Sequence, residues 1–203
     1  MRSTEAASRL LGYGAAVIHE AYGREGALGG GIRPVWAGAS VAGPCRTVLI
    51  PAGDNLGIHV ALESAEPGEV LCVGSDGPSD YGVWGEVATT YALRKRVAGL
   101  VTTLGVRDVR AIQALHFPVF ASSIEIQGTV KSEPGLHQVP LKLGRSTVHP
   151  GDWIIGDEDG CVVISADRLM ATLDAAERKI ALEKEAKDKI LDGMSSRQAL
   201  GLP

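Results

Sequence analysis

The 203-residue sequence predicts a single α/β domain in which a βαβ unit carries the functional site and a long charged helix ends the chain. Three observations carry that expectation. Short apolar runs of strand length alternate with helix-spaced segments through the first half. Residues 70–104 read as strand, polar loop, helix and strand, the order of a βαβ unit. Residues 167–192 carry Leu169, Leu173, Ile180 and Leu191 at helical spacing among Glu and Lys, as an amphipathic, largely solvated helix does.

Each element has its own signal. Residues 4–22 place small and apolar side chains at helical spacing and run into Gly23, Gly26 and Gly29 to Gly31, where a helix must stop. A strand is expected over 41–51, a helix over 55–64, a turn at Glu66-Pro67-Gly68, and a buried strand over 70–73. The glycine-containing loop 75–85 leads into a helix over 86–96 and a second buried strand over 99–104. Further strands are expected over 119–121, 125–130, 138–143 and 154–164, the last broken by the hairpin turn Asp157-Glu158-Asp159-Gly160. Repeats, low-complexity tracts and linkers are absent, so residues 1–203 read as one domain.

Composition narrows the function. A net charge of -4 with dispersed basic residues argues against a nucleic-acid backbone as partner, which needs a concentrated basic face. Cys45, Cys72 and Cys161 lack metal spacing and lie in apolar runs, as buried free thiols in a reducing compartment do. No apolar run reaches membrane-spanning length, and no signal-peptide segment opens the chain. A cytoplasmic protein without membrane attachment is expected. The 26 glycines show no three-residue period and belong to tight turns.

The chemistry-bearing residues cluster at Gly85-Glu86-Val87-Ala88 and Arg107-Asp108. Glu86 begins a helix, so the backbone N–H groups of Val87 and Ala88 point out of its N-terminus and attract a carboxylate or phosphate. Arg107 and Asp108 follow the next strand and reach the same edge of a parallel sheet. Two readings fit. In one, Arg107 pairs with a surface carboxylate and Asp108 caps the helix beginning near Val109. In the other, Arg107 neutralises an organic acid and Asp108 holds a divalent metal. Mg2+ commonly needs only one or two protein carboxylates.

Several strings resemble the class II pyruvate aldolases that cleave 4-hydroxy-4-methyl-2-oxoglutarate and 4-carboxy-4-hydroxy-2-oxoadipate, a family sharing its fold with the regulator of ribonuclease activity A. They are HEAYGREGAL from His19, IRPVWAGASVAGP from Ile32, PAGDNLGIHVALE from Pro51, WGEVATTYALRKRVAGLV from Trp84, LGVRD from Leu104, QGTVK from Gln127 and PGDWIIGDEDGCVV from Pro150. The resemblance implies an α/β sandwich of the swivelling-domain type, assembled as a homotrimer or homohexamer. It implies that Asp108 ligates Mg2+ or Mn2+, with Glu86 acting through metal-bound water. Arg107 would contact the keto oxygen of a keto-acid substrate, and Gly85, Val87 and Ala88 would hold its carboxylate. Glu20, and a glutamate near Glu183 from a neighbouring subunit, would complete the pocket. The implied reaction is retro-aldol cleavage to pyruvate in aromatic-acid breakdown, with oxaloacetate decarboxylation as a side activity. Thr103 stands where many relatives carry an acidic residue, and Gln138 where they commonly carry Asn. Both departures bear on the substrate. A non-catalytic regulator of ribonuclease E, or a lyase for another 2-keto acid, are the alternatives.

Elementary chemistry agrees with an aldol cleavage. Breaking the bond beyond a β-hydroxyl in a 2-keto acid leaves an electron pair that must spread onto an oxygen, and a guanidinium and a divalent cation stabilise that oxygen. A Schiff-base route needs a buried neutral lysine, and Lys95, Lys131 and Lys142 lie in polar or strand-end surroundings. His59 reads as a locally packed helix residue, His19 as a nearer pocket candidate, and His116, His137 and His149 lack metal spacing. Gly29-Gly30-Gly31 follows a helix rather than a strand, which argues against a nucleotide site.

Overall fold

The chain opens with two short helices rather than the one expected over residues 4–22. The computed structural model describes residues 2–29 and 31–203, so Gly30 of the glycine cluster lies outside the described residues. Helices α1 (Ser3–Tyr13) and α2 (Ala15–Ala21) meet at Gly14, whose φ of 82° is left-handed and breaks the helical ladder. Asp157 completes the break by accepting the Ala15 N–H at 2.7 Å.

The remaining elements are β1 (Arg33–Pro34), β2 (Val41–Ile50), α3 (Leu56–Glu63), β3 (Val70–Ser75), β4 (Gly82–Trp84), α4 (Glu86–Lys95), β5 (Gly99–Thr102), β6 (Gly105–Val106), α5 (Val109–Ala114), β7 (Val119–Ala121), β8 (Ser123–Ile124), β9 (Leu136–His137), β10 (Leu141–Leu143), β11 (Ser146–Val148), β12 (Trp153–Asp157), β13 (Gly160–Ile164), α6 (Leu169–Leu191) and α7 (Ser196–Ala199). The main sheet runs β1-β7-β5-β3-β2-β12-β13, with β9 also paired to β2. Strands β2, β3, β5 and β7 are mutually parallel, and α3, α4 and α5 connect them as three successive βαβ units. The Leu28 N–H donates to Cys161 O and the Val163 N–H to Gly26 O, both at 2.9 Å. Residues 26–28 thus edge β13 before leading to β1 at the other end, and the sheet curls towards closure.

A second sheet positions the site. Strands β3, β5 and β7 each pass, after a break, into β4, β6 and β8, which form a small parallel sheet in the order β4-β6-β8. The strand expected over 99–104 ends at Thr102 as β5, and the chain re-enters strand only at Gly105, as β6 of the second sheet. Thr102 turns the chain: its buried Oγ1 donates to Val73 O at 2.9 Å and accepts the Leu104 N–H at 3.1 Å. Two other strand expectations are corrected. Residues 125–130 form no ladder, because their alternation has no buried face behind it and Ile126 is 91% exposed. Of 138–143, only β10 is strand, since Gln138 takes a left-handed φ of 53°.

Packing follows the strand pleat. Leu71 and Val73 face Ile58, Leu62 and Ala92 of the helical layer, whereas Val70 and Cys72 face the interior of the curled sheet with Phe120 and Cys161. Burial on both faces explains the continuous apolar runs of the parallel strands. All three cysteines are buried and free, as expected. Helices α1, α2 and the first half of α6 cover β12 and β13 through Leu10, Ile18 and Leu173. The charged C-terminal helix is present as expected, and beyond Ala176 it exposes much of its surface. Among the described residues no helix is long and apolar enough to cross a membrane.

Candidate functional site

Helices α4 and α5 start at the same edge because β4 and β6, which deliver them, are parallel neighbours paired at Gly82 with Gly105 and Trp84 with Val106. The Arg107 N–H donates to Trp84 O at 2.9 Å and continues that pairing by one residue. Asp108 then takes a left-handed φ of 58°. This breaks the alternation of an extended chain, and Asp108 Oδ2 comes within 4.0 Å of Arg107 Nε.

Asp108 occupies the position preceding α5 but makes no side-chain cap to it. Its Oδ2 instead accepts the Glu86 N–H, at 3.0 Å, across the gap between the two helix starts. Gly85 permits this approach: a Cβ there would stand 2.4 Å from Asp108 Oδ2 and 3.2 Å from Arg107 Cγ. The N–H groups of Val87 and Ala88 have no acceptor among the described residues. Beneath them, Trp84 is fixed by a 2.7 Å hydrogen bond from Nε1 to Thr89 Oγ1 and by stacking on Phe117 at 5.8 Å.

These groups line a cavity of about 130 Å³. Gly85, Val87, Ala88, Arg107 and Asp108 all contribute to it, and Glu86 stands exposed beside it at the start of α4. The cavity also takes in Asn55, His59 and Lys131, which sequence reasoning left out of the site. Asn55 is buried, its Nδ2 donates to Val83 O at 2.9 Å, and its Oδ1 has no partner among the described residues. Burial, and then the Lys131 ammonium, hold His59 below the usual histidine range, so it stays uncharged near neutrality. The signal for Asn55 and His59 lay in their one-turn spacing across the start of α3. Lys131 ends the QGTVK string, but its irregular segment has no periodicity that would place it at the cavity.

Glu20 and Glu183 lie elsewhere in the chain. Both bind Lys179 where α2 packs on α6, with Lys179 Nζ 2.9 Å from Glu183 Oε1, and neither lines the cavity. Lys179 and Glu20 accordingly hold each other charged, the lysine raised and the glutamate lowered from their ordinary ranges by that hydrogen bond. Lys95 and Lys142 donate to Glu63 O and Arg145 O, away from the cavity. Gln138 Oε1 accepts the Thr47 N–H at 3.4 Å, the backbone carbonyl of Thr103 accepts the Ser122 hydroxyl, and neither residue lines the cavity. Asp157 and Gly160 close the β12–β13 hairpin, as expected of that acidic turn.

Among the described residues no cluster of three or more His, Cys, Asp or Glu side chains could enclose a metal. The oxygen set at the cavity, Asp108 with the neighbouring Glu86, fits a hard cation that takes few protein ligands and keeps waters or substrate oxygens at its other positions. It does not fit the four-ligand cages of structural zinc.

Comparison with known proteins adds to this geometry. A family profile described as RraA-like, Aldolase/RraA, matches residues 15–163. A protein of Halalkalibacterium halodurans named "Putative 4-hydroxy-4-methyl-2-oxoglutarate aldolase" is 33% identical over 168 residues, covering 83% of this chain and 80% of its own length. Among solved structures, Streptomyces coelicolor RraAS2, described as an unusual member of the RNase ES inhibitor RraA protein family, superposes with a TM-score of 0.80 at 26% identity, covering 90% of this chain and 96% of its own. A Geobacillus kaustophilus structure titled S-adenosylmethionine: 2-dimethylmenaquinone methyltransferase gives 0.69 at 25% identity, covering 76% and 96%.

Proposed function

The chain belongs to the RraA-like, Aldolase/RraA family, and on that premise we propose that it is a divalent-metal-dependent lyase cleaving a 4-hydroxy-2-oxo acid to pyruvate and a second keto acid. 4-Hydroxy-4-methyl-2-oxoglutarate and 4-carboxy-4-hydroxy-2-oxoadipate are the proposed substrates, and oxaloacetate decarboxylation the side activity. The observation that carries the reading is the convergence of Arg107, Asp108 and the free Val87 and Ala88 amides on one cavity. Names of relatives support the aldolase class.

In this reading the substrate carboxylate lies against the Val87 and Ala88 N–H groups at the positive end of α4. Arg107 donates to the keto oxygen. Asp108, with Glu86 through water, would hold Mg2+ or Mn2+, which when bound would supply Lewis-acid stabilisation of the developing negative charge. Glu86 takes the 4-hydroxyl proton through water as the C3–C4 bond breaks. The bonding pair spreads over C3 and the keto oxygen, where Arg107 stabilises the negative charge. A proton returned to C3 completes pyruvate. With oxaloacetate, carbon dioxide leaves in place of the second keto acid, and the demand on Arg107 is the same.

The proposed working form is a cytoplasmic homotrimer or homohexamer. The exposed second half of α6, with Leu182 66% exposed beside Glu183, supports an association that would bring acidic residues from a neighbouring subunit to the cavity. The test is pyruvate release from the two hydroxy-oxo acids and from oxaloacetate, with and without EDTA. Failure to turn over any of them in a metal-dependent way contradicts the lyase reading. The fold shared with the RNase ES inhibitor family favours a second reading, a non-catalytic regulator of ribonuclease E. Capture of purified ribonuclease E by this chain, together with no turnover, would select it.

A further inference from the structure

Lys131 reaches the cavity from a stretch with no ladder of its own: among the described residues, the bridge between β8 and β9 joins Val130 to Asp54. Three residues of the β2–α3 connection hold that stretch. The Val130 N–H donates to Gly53 O at 3.0 Å, and Val130 O accepts the Asn55 N–H at 3.1 Å. On the other side of Lys131, Asp54 Oδ2 accepts the Ser132 N–H at 2.8 Å and the Glu133 N–H at 3.0 Å. Asp54 Oδ1 accepts the Leu56 N–H at 2.8 Å, at the start of α3. Asp54 is 3% exposed and outside the cavity lining, yet its carboxylate joins the segment bearing Asn55 and His59 to the segment bearing Lys131.

We propose that Asp54 is a positioning residue for the lyase: its buried carboxylate straps residues 130–133 to the start of α3 and thereby sets the Lys131 ammonium at the cavity, where it binds the substrate carboxylate remote from the keto group. The kinetic part rests on the function proposed above. Only a carboxylate suits the post. It is acceptor-only, with about four lone-pair sites, so it satisfies three converging N–H groups, whereas an asparagine of the same size presents an N–H to one of them. The lining explains why position matters: Arg107 and the α4 amides serve one end of a 2-keto acid, and Lys131 is the other cationic side chain of the cavity.

Two readouts test the strap. Trypsin cleavage after Lys131, followed by mass spectrometry, should accelerate roughly 10-fold or more in Asp54→Asn, because cleavage tracks local opening. Cleavage after Lys184 and Lys187 on α6 should not change. Glu133→Pro, which removes one strap donor and leaves the Asp54 to Leu56 bond, should behave alike and serves if Asp54→Asn folds poorly. With 4-hydroxy-4-methyl-2-oxoglutarate and Mg2+, Asp54→Asn should raise KM roughly 10-fold with kcat within about twofold, and Asp54→Asn/Lys131→Ala should be no worse than Lys131→Ala alone. A uniform rise in cleavage, unchanged cleavage after Lys131, a fall in kcat at constant KM, or losses that multiply would each overturn the proposal. Absence of wild-type turnover would overturn the lyase reading instead, and the trypsin comparison would still decide whether Asp54 holds the strap.

Discussion

Asp108 accepts the backbone N–H of Glu86 at 3.0 Å, and this bond sets the distance between the starts of α4 and α5. It aims a carboxylate at the helix end whose next two amides are free, and leaves Arg107 Nε 4.0 Å from the same oxygen.

Gly85→Ala tests that contact. Gly85 has extended backbone, φ -161°, which alanine adopts freely, so the expected effect is steric alone: the new Cβ would stand 2.4 Å from Asp108 Oδ2. Metal-dependent turnover should fall roughly 100-fold, as a misplacement near 1 Å does, while far-UV circular dichroism stays that of the wild type. Full activity in a folded Gly85→Ala protein would show that the Asp108 position does not matter.

Arg107→Ala should lower kcat by about 100- to 1000-fold, the loss typical of removing one donor to a developing oxyanion. Arg107→Lys should recover little, because an ammonium lacks the fork that serves two acceptors together. Steady-state kinetics on oxaloacetate and on a hydroxy-oxo acid should show the same loss for both. Loss confined to one substrate would place Arg107 in recognition rather than in charge stabilisation.

Much of this arrangement is legible in the amino-acid sequence. The order of apolar runs and glycine loops brings residues 85–88 and 107–108 to one edge, because parallel strands must present successive helix starts together. What escapes sequence reading is set by single polar atoms. The break between β5 and β6 depends on the Thr102 hydroxyl meeting Val73 O and the Leu104 N–H, a contact that the threonine pair alone does not reveal within a run of strand character. Residues 125–130 alternate like a strand, yet Ile126 points to solvent. Lys131 comes to the cavity on a stretch held by Gly53, Asp54 and Asn55, far away in sequence. The one helix expected before residue 22 is two, since Asp157 from the opposite end of the chain caps the second.

Trp84 supports the site from beneath, and its removal should appear in stability. Trp84→Ala should cost about 3–5 kcal/mol, and Trp84→Phe, which keeps the stack on Phe117 but loses the bond to Thr89, about 1 kcal/mol. Urea denaturation with an unchanged slope checks both. Equal losses for the two would mean that the hydrogen bond, and not the packed ring, holds α4 in place.

Asp54 also sets a pH dependence. Burial pushes its carboxyl upward, but three backbone N–H donors, aided by Lys131, outweigh burial and leave it below the ordinary carboxylate value. A group lowered on folding contributes stability that is fully present above its unfolded pKa, about 3.9, and is lost as pH falls through the folded value. Urea midpoints should therefore drop more steeply below about pH 4 in the wild type than in Asp54→Asn. Parallel pH profiles would contradict the lowered value.

The most direct measurement is pyruvate release from 4-hydroxy-4-methyl-2-oxoglutarate by wild type and Asp108→Ala, each stripped with EDTA and then titrated with Mg2+. A wild type that is inactive without metal and recovers on titration, beside an Asp108→Ala protein that stays inactive throughout while keeping its fold, is the expected result. Metal-restored turnover in Asp108→Ala equal to that of the wild type would contradict the assignment of this cavity as the lyase site.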